Sequence, residues 1–297
     1  MAVNPVLLEL PDLVGLKEQA ESLSLPENQN YALTGFGDKK SPFRSRGLDF
    51  QEVRVYQPGD DIRQIDWRVT AKYGKPFTKL YTEEKEQQIY LVCDLRPNMH
   101  FASRGHFKSV MAGRLTALSA FMVHKKKDKL AYLLLKEKLI PSLTDTASDD
   151  LIAPLLNELT QESAEKSDLY FSEILPHLGR TLKTGASLIL FSDFHDIGEK
   201  DLKLLGQLAS KNTITLVHIY DNLERTLPKA TLPYSDGKST FVLDGNSHSV
   251  QEGFQKSWTL QTELLRKAVQ KYGFGYLPLS TESPYLNLYA QFCWGNK

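Results

Sequence analysis

The sequence predicts an α/β protein with a doubly wound, mostly parallel sheet of the Rossmann type and a small N-terminal β-containing subdomain. Two apolar runs of strand length, IYLVCD and ASLILF, are typical of strands buried on both faces of a parallel sheet, and each leads into an aspartate. Strand-like and helix-like segments alternate along the chain, as right-handed β-α-β crossovers require. We therefore expect a helical and β subdomain at residues 1–87 and an α/β domain at residues 88–297.

The N-terminal elements follow from local patterns. Residues 6–23 carry a helical periodicity that Pro11 interrupts, and residues 33–47 are rich in Gly, Ser and Pro, which is typical of a loop. Residues 49–56 and 76–82 have the character of strands and predict a small β unit.

The elements of the α/β domain are predicted from buried runs and amphipathic stripes. The segment at 106–123, for example, places Phe107, Val110 and Met111 on one helical stripe. The pair Asp244-Gly245, between two β-like segments, predicts a C-terminal hairpin insertion. The full prediction has strands at 89–94, 129–135, 138–142, 186–191, 213–220 and 273–279, and helices at 106–123, 149–160, 168–183, 198–209 and 252–272.

Composition favours a soluble cytoplasmic protein. The chain has 297 residues, of which 41% are hydrophobic and 24% charged, enough to bury a large core. Its formal net charge is zero, so we expect neither nucleic-acid binding nor attraction to an anionic membrane. The two cysteines, Cys93 and Cys293, show no metal or disulfide spacing, which fits a reducing compartment. No signal peptide or membrane span is predicted.

Residues 52–72, EVRVYQPGDDIRQIDWRVTAK, form the most unusual stretch of the sequence. An alternating strand leads through a Gln-Pro-Gly-Asp turn into closely spaced acids and bases with apolar residues between them. This mixture predicts a folded ion-pair network anchored by Ile62, Ile65 and Trp67, and a ligand or partner site is the alternative. The residues that would act in either role are Arg54, Tyr56, Asp60, Asp61, Arg63, Asp66 and Trp67.

Asp94 and Asp193 are the first candidates for chemistry. Each follows a buried strand, so each should lie at the carboxyl edge of the sheet, where the first strand neighbours the fourth and strand order reverses. Ligands bind in that crevice, and two facing carboxylates there would bind a hard divalent cation. Alternatively, both aspartates cap the helices that follow them.

A long segment, GLDFQEVRVYQPGDDIRQIDWRVTAKYGKPFTKLYTEE, resembles the signature of the domain-of-unknown-function-58 family, which comprises bacterial proteins with a von Willebrand factor A-like domain. The segments LVCDLRPNM, LILFSDFHD and IYDNLERTLP resemble later landmarks of that family, so the resemblance extends from Gly47 to the C-terminus. It implies a von Willebrand factor A-like fold and a role as an adaptor or assembly factor beside a MoxR-type AAA+ ATPase.

The resemblance also implies a metal-ion-dependent adhesion site, which this sequence matches only in part. Asp94 and Asp193 match its two aspartates. Arg96 and Asn98 stand where its two serines would be, and Ser167 is the candidate for its threonine. Such a degenerate site would hold Mg²⁺. A guanidinium cannot ligate a metal, so Arg96 can instead pair with Asp94 or Asp193 and take the place of the cation.

Two functions from different classes follow. The leading prediction is a non-enzymatic interaction module or adaptor that binds a MoxR-type AAA+ ATPase and an unknown client protein, in assembly, maturation or stress response. Its recognition surface would be the carboxyl edge of the sheet, including Arg96 and His195. The alternative is a divalent-metal-dependent hydrolase that uses Asp94 and Asp193 as ligands and His195 as a general base. The sequence contains no zincin, nucleophile-elbow, P-loop or dinucleotide-binding motif, which favours the interaction module.

Overall fold

The computed structural model describes residues 3–22, 49–57, 62, 65–82, 87–142, 148–161, 166–235 and 240–294. They fall into a small unit within residues 44–86 and a large unit that combines the N-terminal helix with the chain from residue 87 onward. The helices of the described ranges are α1 (Leu10–Ser22), α2 (Trp67–Tyr73), α3 (Lys108–Lys126), α4 (Ser148–Thr160), α5 (Phe171–Thr181), α6 (Glu199–Ala209), α7 (Asn222–Arg225), α8 (His248–Tyr272) and α9 (Tyr285–Trp294). The strands are β1 (Asp49–Val55), β2 (Phe77–Thr82), β3 (Gln88–Asp94), β4 (Lys129–Leu135), β5 (Leu139–Pro141), β6 (Ser187–Ser192), β7 (Thr213–Tyr220), β8 (Thr231–Ser235), β9 (Thr240–Asp244) and β10 (Gly275–Ser280).

The large unit is built on a six-stranded sheet with the order β10-β7-β6-β3-β4-β5. All neighbouring strands are parallel except β5, which runs antiparallel to β4 at one edge. Strand β3 is the first strand of this sheet in sequence and lies between β4 and β6, so the chain winds first to one side of β3 and then to the other. The predicted fold class, a mostly parallel α/β sheet of Rossmann-like arrangement, is confirmed. The crevice between the first and fourth strands of the unit is therefore present.

Helices cover both faces of this sheet because alternate strand residues point to opposite sides. In β3, Leu91 and Cys93 contribute to the core shared with α1, α3, α4 and α9. Tyr90 and Val92 contribute to the core shared with α5, α6 and α8. All seven residues of β3 are buried, as the continuous apolar run predicts for a strand covered on both faces.

Helix α1 packs in the large unit, whereas the sequence predicted one subdomain over residues 1–87 that joins it to the small β unit. Leu13 and Leu16 are buried in the core beneath α3. Asp12 also forms an ion pair with Arg114 of α3. The helix belongs to the large unit because its apolar residues are buried against α3 and α4, which cover the sheet.

The small unit contains two antiparallel strands, β1 and β2, close to their predicted bounds. Between them lies α2, which the sequence did not predict, and Asp66 caps its first turn by accepting from the Arg68 and Val69 N–H groups. The expected apolar anchors of an ion-pair network were wrong in part: Ile62 is 63% exposed and Trp67 is 67% exposed. Asp60, Asp61 and Arg63 lie outside the described residues.

The predicted hairpin at Asp244-Gly245 was wrong in its position. Strands β8 and β9 pair with each other, β9 ends at Asp244, and the residues after the dipeptide enter α8. The Gly245 N–H donates to the carbonyl of Ala230, and a Cβ at Gly245 would lie 2.1 Å from the carbonyl oxygen of Pro228. Glycine is therefore needed for close backbone packing, and not for a turn between paired strands.

Both edges of the main sheet contain a proline. Pro141 lies in the short edge strand β5, and Pro278 lies in the opposite edge strand β10. A proline cannot donate a ladder hydrogen bond, so both edges are poor templates for pairing with another chain. Among the helices of the described ranges, none combines the length and the apolar composition that crossing a membrane requires.

The packing of α1 predicts unequal effects for two neighbouring aliphatic residues. Leu16→Ala should lower the free energy of unfolding by about 2–5 kcal/mol, because it creates a cavity in the core. Val14→Ala, on the exposed side of the same helix, should change it by less than about 0.5 kcal/mol. Urea denaturation of the full chain measures both values. Equal effects of the two substitutions would show that α1 does not pack on the large unit.

Candidate functional site

The carboxyl ends of β3, β6 and β7 bring a set of charged residues together at one edge of the sheet. Strands β3 and β6 are parallel neighbours with Cys93 opposite Phe191, so Asp94 lies beside Ser192 and close to the turn that follows β6. We call this set the carboxyl-edge site. It consists of Asp94, Arg96, Asn98, Lys108, Asp193, His195, Asp196 and Glu224.

Arg96 is the buried centre of the site, and all five of its side-chain N–H groups have acceptors. Nε donates to Oδ1 of Asp94 at 2.9 Å, and Nη2 donates to Oδ2 of Asp94 at 2.7 Å. Nη1 and Nη2 donate to the two oxygens of Asp196 at 2.7 and 3.0 Å. The fifth bond, 3.0 Å long, runs from Nη1 to the carbonyl of Leu169. Two bidentate carboxylates thus hold one guanidinium, the geometry for which arginine is best suited.

Asp94 is fully buried and accepts hydrogen bonds from several groups at once. In addition to the guanidinium, Oδ1 accepts from the backbone N–H of Arg96 at 3.1 Å. Oδ2 accepts from the Ser192 hydroxyl at 2.6 Å, and the same hydroxyl oxygen accepts from the Phe194 N–H. Asp94 therefore joins the end of β3 to the end of β6, and its lone pairs are committed within the protein.

The turn after β6 places the remaining acids. Phe194 is buried with φ 53°, in the left-handed region that a bulky side chain rarely adopts. Beyond it, Asp196 accepts from the Phe171 N–H at the start of α5 at 2.7 Å. A helix N-terminus favours a carboxylate, so Asp196 stabilises α5 and Arg96 together.

Lys108 is the second buried cation of the site. Its Nζ lies 2.7 Å from Oδ2 of Asp193 and 2.5 Å from Oε1 of Glu224. Lys108 is the first residue of α3, where the helix dipole disfavours a positive charge. The two carboxylates offset this cost, and they hold Lys108 between the turn after β6 and helix α7.

Asn98 and His195 complete the contacts of Asp193. The Asn98 amide nitrogen lies 3.1 Å from both carboxylate oxygens of Asp193 and 3.1 Å from Nδ1 of His195. The His195 backbone N–H donates to Oδ1 of Asp193, and its Nδ1 lies 3.2 Å from the same oxygen. The imidazole is 53% exposed, so it is the most accessible titratable group in contact with Asp193.

A further carboxylate, Asp221, fixes the loops beside the site. Its oxygens accept from the Ser103 N–H, the Leu223 N–H and the Thr281 hydroxyl at 2.8, 2.8 and 2.6 Å. Its own N–H donates to Glu224. Asp221 therefore acts as the N-cap of α7, and it holds Glu224 in place to pair with Lys108.

The structure brings together most of the residues predicted for this edge, and of the two pairs predicted for Arg96 the one with Asp94 is present. Asp94 and Asp193 each have their own cation, and Arg96 pairs with Asp94 and Asp196 and not with Asp193. The Ser167 hydroxyl bonds to groups other than the two aspartates. It donates to the carbonyl of Lys136 and accepts from the Leu169 N–H. The metal assignment of Asp94, Asn98, Ser167 and Asp193 stays a prediction. Within the described ranges, no group of three or more His, Cys, Asp or Glu side chains is arranged to hold a metal.

Sequence reasoning missed Lys108 and Glu224 as members of the site. A lysine in the first turn of a buried amphipathic helix was a usable signal, because a cation there requires an anionic partner. Glu224 had a weaker signal, the spacing from Asp221 that matches a capping box.

Ion pairing controls the protonation of the buried acids. Burial alone raises the pKa values of Asp193 and Asp196, but the charges of Lys108 and Arg96 outweigh it and hold both pKa values below the ordinary range. Burial lowers the pKa of His195, whereas the hydrogen bond to Asp193 and the charges of Asp193 and Asp196 raise it. The second effect is larger, so the pKa of His195 lies above its ordinary value. Asp193 and Asp196 are therefore ionised at neutral pH.

His218 lies on β7 behind the site, in an aromatic cluster. Its ring stacks on Trp258 and contacts Phe194 and Tyr220, and its Nδ1 lies 2.8 Å from the Tyr276 hydroxyl. Burial in this cluster lowers the pKa of His218 to about 4. The side chain is therefore a neutral part of the core, and not a general base.

Arg96→Ser is expected to lower the free energy of unfolding by about 3–5 kcal/mol, because it leaves Asp94 and Asp196 buried without their cation. Arg104→Ser, in the exposed loop before α3, is the matched control and should change stability little. Urea denaturation of both variants tests the difference.

The same variant tests whether the guanidinium occupies the place of a metal ion. The melting temperature of the wild type should not change with Mg²⁺ or Mn²⁺, whereas Arg96→Ser should be stabilised, by about 2.7 kcal/mol at an ion concentration of 100 times the dissociation constant. A metal-dependent rise in the wild type would contradict this interpretation.

His218→Gln is expected to reduce the loss of stability in acid. Between pH 6.5 and about 4 the unfolded chain binds a proton at His218 that the folded protein excludes, so stability falls as the pH decreases. The substitution should remove about 3 kcal/mol of this pH dependence, measured by urea unfolding across that range. His195→Gln is the control of opposite sign: its raised pKa stabilises the fold below pH 6.5, and this contribution is lost as the pH rises through the folded value. An unchanged pH profile of His218→Gln would show that His218 is not buried in its neutral form.

Comparison with known proteins identifies the family of the chain. The uncharacterized proteins Rv1480 of Mycobacterium tuberculosis and Mb1516 of Mycobacterium bovis are each 21% identical over 257 residues, which cover 84% of this chain and 80% of theirs. In solved structures, the conserved hypothetical protein BatB from Bacteroides thetaiotaomicron is 13% identical with a TM-score of 0.41, covering 69% of this chain and 96% of its own. An aerotolerance-related membrane protein from Bacteroides fragilis is 11% identical with a TM-score of 0.40, covering 69% and 98%. Residues 52–263 match the family described as Protein of unknown function DUF58, and the chain belongs to that family.

Proposed function

We propose that this protein is a non-enzymatic interaction module with a von Willebrand factor A-like domain. It would act as an adaptor between a MoxR-type AAA+ ATPase and a client protein, in assembly, maturation or stress response. The observation that carries the proposal is the closed ion-pair network at the carboxyl edge. Arg96 and Lys108 satisfy the acids there, so the edge presents a preorganised surface and not a reactive group.

The hydrolase alternative requires a rearrangement of this network. That alternative uses Asp94 as a metal ligand, but the oxygens of Asp94 accept from Arg96 and Ser192. Its general base is His195, whose Nδ1 contacts Asn98 and Asp193. A divalent ion between Asp94 and Asp193 would have to displace buried cations that already neutralise them. For these reasons we propose no resident cofactor, and a Mg²⁺ ion belongs to the hydrolase alternative.

Exposed side chains around the network supply a recognition surface. Tyr170 is 63% exposed, and the next residue in the chain donates its N–H to Asp196. Phe101 is also exposed, and its carbonyl accepts from the backbone N–H of Lys108. With His195, these residues would provide the exposed side chains of the proposed recognition surface. Rigid aromatic side chains beside a satisfied polar core are typical of protein interfaces.

The proposed location of this activity is the cytoplasm, and the zero net charge of the chain argues against a nucleic-acid partner. We propose this location as part of the same function, since a MoxR-type ATPase needs access to cytoplasmic nucleotide.

Co-purification with the MoxR-type ATPase of the same genome tests the proposal. The wild type should bind the ATPase in at least one of the nucleotide-free, ADP-bound and ATP-bound states. A Tyr170→Ala/Phe101→Ala variant should bind at least about tenfold more weakly, a loss of about 1.4 kcal/mol, with an unchanged melting temperature. Leu204→Ala, an exposed position on α6, serves as the control. Absence of binding in every nucleotide state, for the wild type, would refute the proposed partnership.

A further inference from the structure

Helix α2 of the small unit presents an aromatic residue to solvent. None of its seven residues is buried, and Trp67 at its first position is largely exposed. Burial of such an aromatic side chain in an interface would be strongly favourable. Val55, Ile62 and Tyr73 of the same small unit are exposed as well.

The helix is held in position although it is too short to be stable alone. Asp66 caps its N-terminus, and Gly74 ends it in the left-handed conformation with φ 66°. The Asp66 N–H donates to the carbonyl of Phe77 at 2.8 Å, and the Phe77 N–H donates to the Thr70 hydroxyl at 3.0 Å. These bonds attach α2 to β2, so Trp67 is presented on a rigid support. Such preorganisation reduces the loss of conformational entropy on binding.

Four of the five exposed residues of α2 share one face, and the fifth, Tyr73, lies on the other side. At about 100° per residue, Trp67, Ala71, Arg68 and Lys72 fall within an arc of about 140°. All four are exposed, whereas Val69 and Thr70 on the other side are partly buried. We call the exposed group the α2 face. It combines one indole, one small residue and two cations.

The exposed charges on α2 itself are all positive. Arg68, Lys72 and Lys75 are exposed, and the only acidic residue in the sequence from 65 to 82 is Asp66, whose carboxylate caps the helix. Cations beside an exposed indole complement a surface that has carboxylates around an apolar pocket.

The chemistry of the α2 face favours a protein over other anionic partners. Nucleic-acid binding relies on several phosphate contacts and a basic domain, and this chain has no net charge. Membrane-surface helices need a broad apolar face, which seven residues with a single tryptophan do not provide. Tryptophan, tyrosine and arginine are the residues that most often dominate protein–protein binding energy.

We propose that the α2 face docks an acidic surface of a partner protein, with Trp67 inserted into an apolar pocket and Arg68 and Lys72 paired with carboxylates around it. This inference rests on the proposed function as an interaction module and adds a second recognition element to the carboxyl-edge site. It also gives a role to the most unusual stretch of the sequence, in which α2 lies.

A glutamate-rich peptide that contains leucine is the probe for a direct test. The emission of Trp67, obtained as the difference between the wild type and Trp67→Phe, should shift to shorter wavelength as the peptide binds the full-length protein. Arg68→Glu/Lys72→Glu should weaken binding at least about tenfold, and added salt should weaken it as well. Leu260→Ala, at a 62% exposed position on α8, should bind like the wild type. Circular dichroism confirms that each variant is folded.

Several results would overturn the docking proposal. They are the absence of a Trp67 shift, an equal shift with a lysine-rich peptide, and stronger binding to a single-stranded oligonucleotide or to phosphatidylglycerol vesicles. The peptide assay does not require the ATPase, so the two proposals fail separately. Loss of ATPase binding with intact peptide binding refutes only the partner identity, whereas intact ATPase binding without peptide binding refutes only the α2 face.

Discussion

The arrangement of the carboxyl-edge site depends on one buried guanidinium, that of Arg96. Moving a cation out of water costs several kcal/mol, and ion pairing offsets this cost only when the remaining donors are satisfied as well. Arg96 meets this requirement because Asp94, Asp196 and the carbonyl of Leu169 accept from all five of its side-chain N–H groups. These acceptors come from three segments of the chain. The guanidinium therefore holds the end of β3, the turn after β6 and the approach to α5 in one arrangement.

The turn after β6 must satisfy two cations with acids that are close in sequence. Asp193 pairs with Lys108 and Asp196 pairs with Arg96, so the chain has to turn sharply between them. The left-handed conformation of Phe194 provides this turn at a cost of about 1–3 kcal/mol. Burial of its ring against Phe171 and the two ion pairs offset the strain. Strained backbone at this position is therefore a consequence of the charge pairing, and it identifies the turn as the part of the sheet edge with the tightest constraints.

The sequence predicted the sheet well because buried strands and amphipathic helices are encoded locally, in the length and period of apolar runs. It placed Asp94 and Asp193 at the crevice because both follow strands that become neighbours when the chain winds in two directions. It identified Arg96 as a partner of Asp94, one of the two pairs predicted for this arginine. It missed Lys108 as the cation of Asp193 and Asp196 as the second acid of Arg96, since these pairs are 85 and 100 residues apart in sequence. Helix α2 was missed for a related reason: caps and bonds to β2 stabilise it, and not an apolar stripe of its own.

The same physics separates residues that hold the site together from residues that are available to a partner. A ligand that competes for Asp94 or Asp193 must break buried ion pairs, and it loses most of the binding energy in doing so. Exposed side chains such as Tyr170 and Trp67 can lose their water with little change in the fold. Recognition through them requires neither metal uptake nor a change of protonation at the buried acids. For the proposed interaction module we therefore expect the affinity for a partner to depend on the shape and charge of that partner. The buried ion pairs keep the carboxyl edge of the sheet rigid.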